Sequence, residues 1–143
     1  MESTALVEFS SIIGSKDKGI SIGENSNILI YNNLLKNNNL AIAVKDKSIA
    51  EIVEIKFKNN NIQISAYSKN WQYGKGGTVN VANSTFESEI NSIESSNSSK
   101  IYIDNSVING EKKIKGKTVF INKDKKKDEN YKILHPMYEQ ITL

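Results

Sequence analysis

A chain of 143 residues with a net charge of +3 and 24% charged side chains suits one compact domain or a short repeat stack, and so mild a basic excess is no nucleic-acid footprint. Arginine is absent, so no guanidinium fork exists to read guanine, phosphate or carboxylate, which argues against sequence-specific nucleic-acid binding. Cysteine is absent too, removing disulfides, thiolate metal ligands and cysteine nucleophiles; no apolar run approaches the roughly 18 residues of a membrane span, and the opening Met-Glu-Ser-Thr-Ala-Leu-Val lacks the basic and then apolar regions of a signal peptide.

In chain order the first signal is a partial one. Ser3 stands 23 residues before Ser26, and from it Ala5 and Val7 fall close to the positions of Ile28 and Ile30, with Ile12 against Leu35. This reads as the second half of a coil whose first half is missing, which leaves an uncapped end. The expectation is that Met1 is an internal methionine, or that the chain is a fragment of a longer solenoid with further coils upstream.

Residues 15–18 turn, and residues 19–23 follow as a strand in which Ile20 and Ile22 alternate with Ser21 and Gly23. That period of two points the isoleucines inward. Ile28 and Ile30 repeat it in the next strand. The chain then repeats itself: residues 19–26, Gly-Ile-Ser-Ile-Gly-Glu-Asn-Ser, overlay residues 41–48, Ala-Ile-Ala-Val-Lys-Asp-Lys-Ser, at a constant offset of 41 − 19 = 22. The same offset carries Ile30 onto Ile52, Leu35 onto Phe57, and Asn37, Asn38 and Asn39 onto Asn59, Asn60 and Asn61. A fixed period with apolar over apolar and asparagine over asparagine marks a stacked solenoid, and strands recurring once per coil must stack in parallel at about 4.8 Å. The expected fold is all-β: a right-handed, single-stranded parallel β-helix of about five coils over residues 1–122.

At Tyr67 the period breaks. The stretch Ser68, Lys69, Asn70, Trp71, Gln72, Tyr73, Gly74, Lys75 and Gly76 is longer than its counterparts, and the pattern resumes at Gly77, displaced from Ser48 by 77 − 48 = 29, so seven residues are inserted at one turn. Val79 and Val81 then take the places of Ala50 and Ile52, Phe86 that of Phe57 and Ile93 that of Ile64; Ile101, Ile103 and Ile108 continue the stack one period later. A last strand is expected over residues 117–122, with Val119 and Ile121 on one face. Residues 123–130 are densely charged and read as a linker; residues 131–143 carry Ile133, Leu134, Met137, Tyr138, Ile141 and Leu143 and read as a cap over the final coil, or else as a docking tail for a partner.

The asparagines at 37–39 and 59–61 occupy a turn, where amides hydrogen-bond from coil to coil and tolerate left-handed backbone. Outward positions on the first face form three columns: Ser21, Ala43 and Ser65; Gly23, Lys45 and Tyr67; Glu24, Asp46 and Ser68. Small residues in the first keep the surface shallow and flat. Glu24 and Asp46 fall about one coil, roughly 5 Å, apart, a spacing that holds a cation or serves an acid/base pair. Lys45, Tyr67 and the insertion's Lys69, Trp71 and Tyr73 overhang the same region. The seven residues Glu24, Lys45, Asp46, Tyr67, Lys69, Trp71 and Tyr73 are therefore the candidate binding set, with aromatics to stack on sugar rings and carboxylates to accept sugar hydroxyls. The bland alternative is a solvated strand end with Trp71 and Tyr73 packed into their own loop. His135 has no serine or acid placed to make it a base, the glycines at 74, 76 and 77 lack a following helix to aim amides at phosphate, and Lys125, Lys126 and Lys127 read as solvated charge. No catalytic set, metal site or cofactor is expected.

Three segments together, Asp-Lys-Gly-Ile-Ser-Ile-Gly-Glu-Asn-Ser (17–26), Ile-Ala-Val-Lys-Asp (42–46) and Ser-Ala-Tyr-Ser-Lys-Asn-Trp-Gln-Tyr-Gly (65–74), resemble the bacterial right-handed parallel β-helix repeat proteins of the pectate-lyase-like superfamily. More narrowly, the chain resembles the C-terminal β-helix part of cell-envelope proteins that occur with spore-coat-type CotH kinase domains. The resemblance implies an extracellular or cell-surface setting and a structural or polymer-binding role without an established catalytic site. The wider superfamily cleaves polyuronates, but here no arginine exists to act as a lyase base and neither the Asp-Asp nor the Gly-His-Gly motif of the hydrolases is present. The expected function is a non-catalytic structural and binding module contacting polysaccharide, or another envelope component, through one flat face; the alternatives are a carbohydrate-active fragment working through Glu24, Asp46 and Lys45, and a pure scaffold or oligomerisation module.

Overall fold

The structure, a computed structural model, describes residues 2–121. The expected linker and cap, with His135 and the lysine run, lie outside the described residues. Six strands form sheet A in the spatial order β1 (Thr4–Glu8), β4 (Asn27–Tyr31), β7 (Ile49–Val53), β10 (Thr78–Ala82), β12 (Lys100–Asp104) and β14 (Thr118–Ile121). The other sheet bends round the core as two arms. One arm stacks β2 (Ser11–Ile13), β5 (Leu34–Lys36) and β8 (Lys56–Lys58); the other stacks β3 (Lys18–Ile22), β6 (Leu40–Lys45) and β9 (Ile62–Tyr67). The longer β11 (Thr85–Ser95) runs through the corner and pairs with both β8 and β9, and β13 (Val107–Lys115) pairs along β11. Every pairing is parallel, and the fold is an all-β solenoid of about five coils.

The register follows the sequence period. Ile20 pairs with Ile42 and Ile42 with Ile64; across the insertion Ala50 pairs with Val79, Ile52 with Val81 and Phe57 with Phe86. Alternate residues of each strand thus fall into columns inside the coil, where Ile30, Leu35, Ile42, Ile52, Ile64 and Ile93 are fully buried. Each such side chain contributes on the order of 1.5–3 kcal/mol by leaving water. Phe57 and Phe86 stack nearly parallel, 9° between planes, with ring centroids 4.6 Å apart.

The corners explain the asparagines. Each coil turns through left-handed residues that recur in the same place: Phe9, Asn32, Glu54, Asn83 and Asn105 after sheet A, Gly14, Asn37 and Asn59 between the arms, and Glu24, Asn25, Asp46 and Lys47 on the return. Asparagine accepts this backbone at low cost because its short amide bonds locally. Between the arms Asn38 Nδ2 donates to Asn60 Oδ1 (3.0 Å) and Asn60 Nδ2 to Leu35 O (2.9 Å), while outside them Asn61 Nδ2 donates to Asn39 Oδ1 (3.1 Å). Buried amides in such a column satisfy one another instead of water.

The last coil departs from the period. The return corner shortens to Gly116 and Lys117, so Ile101 pairs with Thr118 and Ile103 with Phe120. Val119 and Ile121 do share a face, but it is the outer one, stacked on Tyr102 and Asp104. Lys112, the strand partner of the buried Asn91 one coil on, lies over the Phe120 ring with Nζ 5.1 Å from its centroid. At the opposite end β1, β2 and β3 are the outermost strands, with Leu6, Phe9 and Ile13 exposed.

Candidate functional site

The return corner after β3, β6 and β9 gathers the candidate residues. Glu24 and Asp46 occupy equivalent left-handed positions at φ 55° and 53°, and the Asn25 N–H donates to Asp46 O at 2.8 Å, so consecutive coils present their acids on one edge. Glu24 is exposed. Asp46 is buried, only 4% accessible, because its side chain is put to structural use: Oδ1 accepts the N–H groups of Lys69 (2.7 Å) and Asn70 (2.8 Å). A carboxylate receiving two amides is an anchor for the loop, which then turns at Trp71–Tyr73 in a single 3-10 turn. Asn70 Oδ1 caps that turn by accepting the Gln72 N–H at 3.0 Å, Gly74 closes it at φ 80°, and the Lys47 N–H secures the far side on Lys75 O (3.1 Å).

This pinning decides where the aromatics go. Trp71 is 83% exposed on its short turn, so the loop does not enclose it. Tyr73 is half-buried, and desolvation first, then the charges of Glu24, Asp46 and Glu2, hold its phenol above the ordinary tyrosine range. Tyr67 and Lys45 are half-buried neighbours at the ends of β9 and β6, and Lys69 is exposed. Lys45 reaches back over the preceding coil: a Cβ built on Gly23 would stand 3.2 Å from its Cε, 3.6 Å from its Nζ and 3.8 Å from Asp46 Oδ2. Glycine at 23 therefore makes room for the ammonium beside the acid. All seven candidates thus share one corner, though with different tasks: Asp46 builds the loop, while Trp71, Lys69 and Glu24 face solvent. A cleft of about 470 Å³ opens next to them, between Ser21, Gly23, Glu24 and Lys45 on one side and Ala5 and Val7 at the first coil on the other.

The flat column is less open than its small residues suggest. Ser21 is exposed, but Ala43 is fully buried and Ser65 is 9% accessible. Two features escaped the sequence reading. One is Asn70, whose backbone and side chain both fix the insertion. The other is the outer face of sheet A, where Leu29, Val53 and Ala82 form a second buried cluster separate from the core, with Tyr31 packed against it. Its signal is the unbroken apolar run, Ile28, Leu29, Ile30 in β4 and Ile52, Val53 in β7, which marks a strand covered on both faces. Among the described residues no cluster of three or more His, Asp or Glu side chains is arranged to hold a metal ion, and no helix is long and apolar enough to cross a membrane.

This geometry defines a class, the parallel β-solenoids with a single side loop. No family model matches the sequence, and no curated protein and no solved structure matches it either.

Proposed function

We propose that the chain is a non-catalytic binding module of a cell-surface or envelope protein, holding polysaccharide against the return corner through Trp71. The observation that carries this reading is an indole 83% exposed on a turn tethered at both ends, since a rigid, solvated aromatic face is what a sugar ring stacks on. Lys69 and Glu24 beside it would bond hydroxyls or carboxylates of the polymer. The engagement of Asp46 Oδ1 by two amides favours binding over turnover, because that oxygen already accepts two N–H groups and is poorly placed for proton transfer. The resemblance to pectate-lyase-like β-helices, and to the β-helix part of envelope proteins found with CotH-type kinases, supports the polymer class and the extracellular setting.

The chain has one tryptophan, so its fluorescence reports the site directly. Titration of the full chain with polyuronates and with neutral and amino glycans should shift Trp71 emission for one class without shortening the polymer. Read by isothermal titration calorimetry, since the substitution removes the fluorophore, Trp71→Ala should weaken binding at least about tenfold, the equivalent of a 1.4 kcal/mol contact. Polymer cleavage that disappears in Asp46→Asn would overturn the non-catalytic reading, and binding indifferent to Trp71→Ala would move the site elsewhere.

A further inference from the structure

The end of the solenoid at the first coil has an open core. β1, β2 and β3 stand last in their stacks, and no described strand pairs with their outer edges. Inward positions that are fully buried in the middle coils, such as Ile42 and Ile52, are accessible here: Ala5 is exposed, and Val7, Ile12 and Ile20 are half-buried. Between them lies the cleft of about 470 Å³, whose apolar wall is Ala5, Val7, Ile20 and Ile22. Leu6, Phe9 and Ile13 add apolar surface around the rim, 50%, 68% and 57% exposed. Unpaired strand edges beside open apolar side chains are a template for another chain.

We infer that a second copy of the chain covers this end, in a head-to-head dimer about a two-fold axis through β2. Topology selects the axis. Each strand lies about a third of a coil further along the stack than the one before, so β1, β2 and β3 present a staircase. Turned about an axis through β1 or β3, two such staircases leave a gap one strand wide. Turned about β2 they mesh, with β2 antiparallel to its own copy and β1 antiparallel to β3 on both flanks. The strand lengths agree, because the outline of the coil is symmetric about β2: β1 and β3 have five residues each and β2 has three. Keeping inward residues inward fixes the register, with Val7 against Ile20 of the second copy, Ala5 against Ile22 of the second copy, and the two copies of Ile12 meeting on the axis. The charges of this coil tolerate the contact. Asp17 is paired with Lys18 at 2.7 Å and Glu2 accepts from Asn25; the other two, Glu8 and Lys16, are of opposite sign and come to the same corner on either side of the axis. A head-to-tail stack would instead lay the open core on the far coil, where Lys112 stands at an inward position over Phe120. The axis also maps the return corner onto itself, so both Trp71 loops would line one edge of the dimer, about 30 Å apart at about 4.8 Å per coil, within reach of a single polymer. The dimer itself does not depend on what Trp71 binds.

In β2 the side chains of Ser11 and Ile13 point outward on either side of Ile12, so the axis sets Ser11 of one copy against Ile13 of the other. The chain has no cysteine, and each cysteine substitution therefore adds a single thiol. With folding verified by far-UV circular dichroism, a mixture of full chains carrying Ser11→Cys and Ile13→Cys should form a disulfide-linked dimer under mild oxidation at least about tenfold faster than either variant alone, whose thiols would sit diagonally across the axis, beyond disulfide reach. Sedimentation equilibrium of the parent chain should show monomer and dimer only. Val7→Lys, which would place two lysines in the closed core, should weaken the dimer at least about 100-fold, and Val107→Lys, at an exposed position on the far coil, should leave it unchanged. A monomer at every concentration would overturn the inference, as would species that keep growing with concentration. So would a dimer indifferent to Val7→Lys or weakened as much by Val107→Lys, or either cysteine variant alone cross-linking as fast as the mixture.

Discussion

Removing the Asp46 carboxylate should release the side loop without unfolding the solenoid. In Asp46→Ala the N–H groups of Lys69 and Asn70 lose acceptors now 2.7 and 2.8 Å away. Hydrogen bonds to a charged acceptor contribute about 1.5–3 kcal/mol each; Lys69 lies at the surface, where its amide can turn to water, so the lower figure applies and the loop's closed state should lose about 3 kcal/mol. Since 1.4 kcal/mol is a factor of ten, amide protection at these two residues should fall about 100-fold. Asp46→Asn keeps a carbonyl acceptor and a side chain suited to φ 53°, and a neutral acceptor is roughly half as strong, so about tenfold is expected there. Native-state hydrogen exchange reads both, with the Asn25 amide, bonded to the Asp46 main chain, as internal control. Anisotropy of Trp71 should fall in the same order. The reasoning fails if protection of Lys69 and Asn70 stays within twofold of the parent in Asp46→Ala, or if the Asn25 amide loses protection to the same degree, since the change would then be global.

Glu54 holds φ 55° in a column that carries Phe9 at the first coil and Asn32, Asn83 and Asn105 at the others, so Glu54→Asn should raise stability by about 0.5–1 kcal/mol in a urea titration; an unchanged or lower midpoint would refute the column argument. Gly77→Ala places a Cβ 2.3 Å from Val44 O, backbone that cannot give way, and should cost about 3 kcal/mol by the same measurement, whereas a neutral result would show the corner to be plastic. Ile42→Asp, at a fully buried position in the central coil, should abolish cooperative unfolding altogether, as seen by circular dichroism. The Tyr73 phenol should ionise above the ordinary tyrosine range in an ultraviolet pH titration, and Glu24→Gln should bring it down by removing a neighbouring negative charge. The sign follows from the raised value: the neutral form is favoured in the folded chain, so the associated stability is complete below the unfolded-state pKa and is lost as pH rises through the folded one. A Tyr73 titration insensitive to Glu24→Gln would remove Glu24 from its surroundings.

The register was legible because stacking imposes it residue by residue. Once Ile20 lies on Ile42, the parallel ladder leaves no other place for Val44 or Ile64, and the displacement of 29 at Gly77 measured the insertion because the core columns had to realign beyond it. The last coil was less legible for the same reason. Its return corner drops to Gly116 and Lys117, and its inward positions are Lys112, Ile114, Thr118 and Phe120, so neither spacing nor polarity repeats. Among the described strands this coil has a partner on one side alone, and its sequence is correspondingly free of the period.

The candidate site was legible as a place and not as an arrangement. Period alone puts Glu24, Lys45 and Asp46 on one edge beside the insertion, because any extra residues at that turn must leave the stack there. What the period cannot convey is how those residues are held. A buried Asp46 and an exposed Trp71 are one fact, since the carboxylate that takes two loop amides leaves the following turn no inward space in which to hide an indole. A solvated loop would have buried its apolar ring against the nearest strand; one tethered on both flanks, by Asp46 and by the Lys47 N–H, has its shape set by backbone bonds and keeps the ring in water. Affinity for a stacked ligand should therefore depend on Asp46 as strongly as on Lys69, although Asp46 itself is buried: Asp46→Ala should weaken polymer binding and lower the acrylamide quenching of Trp71, because the released loop lets the indole pack against the nearest strand. Binding that survives Asp46→Ala at full strength would show that the tether is not what prepares the indole.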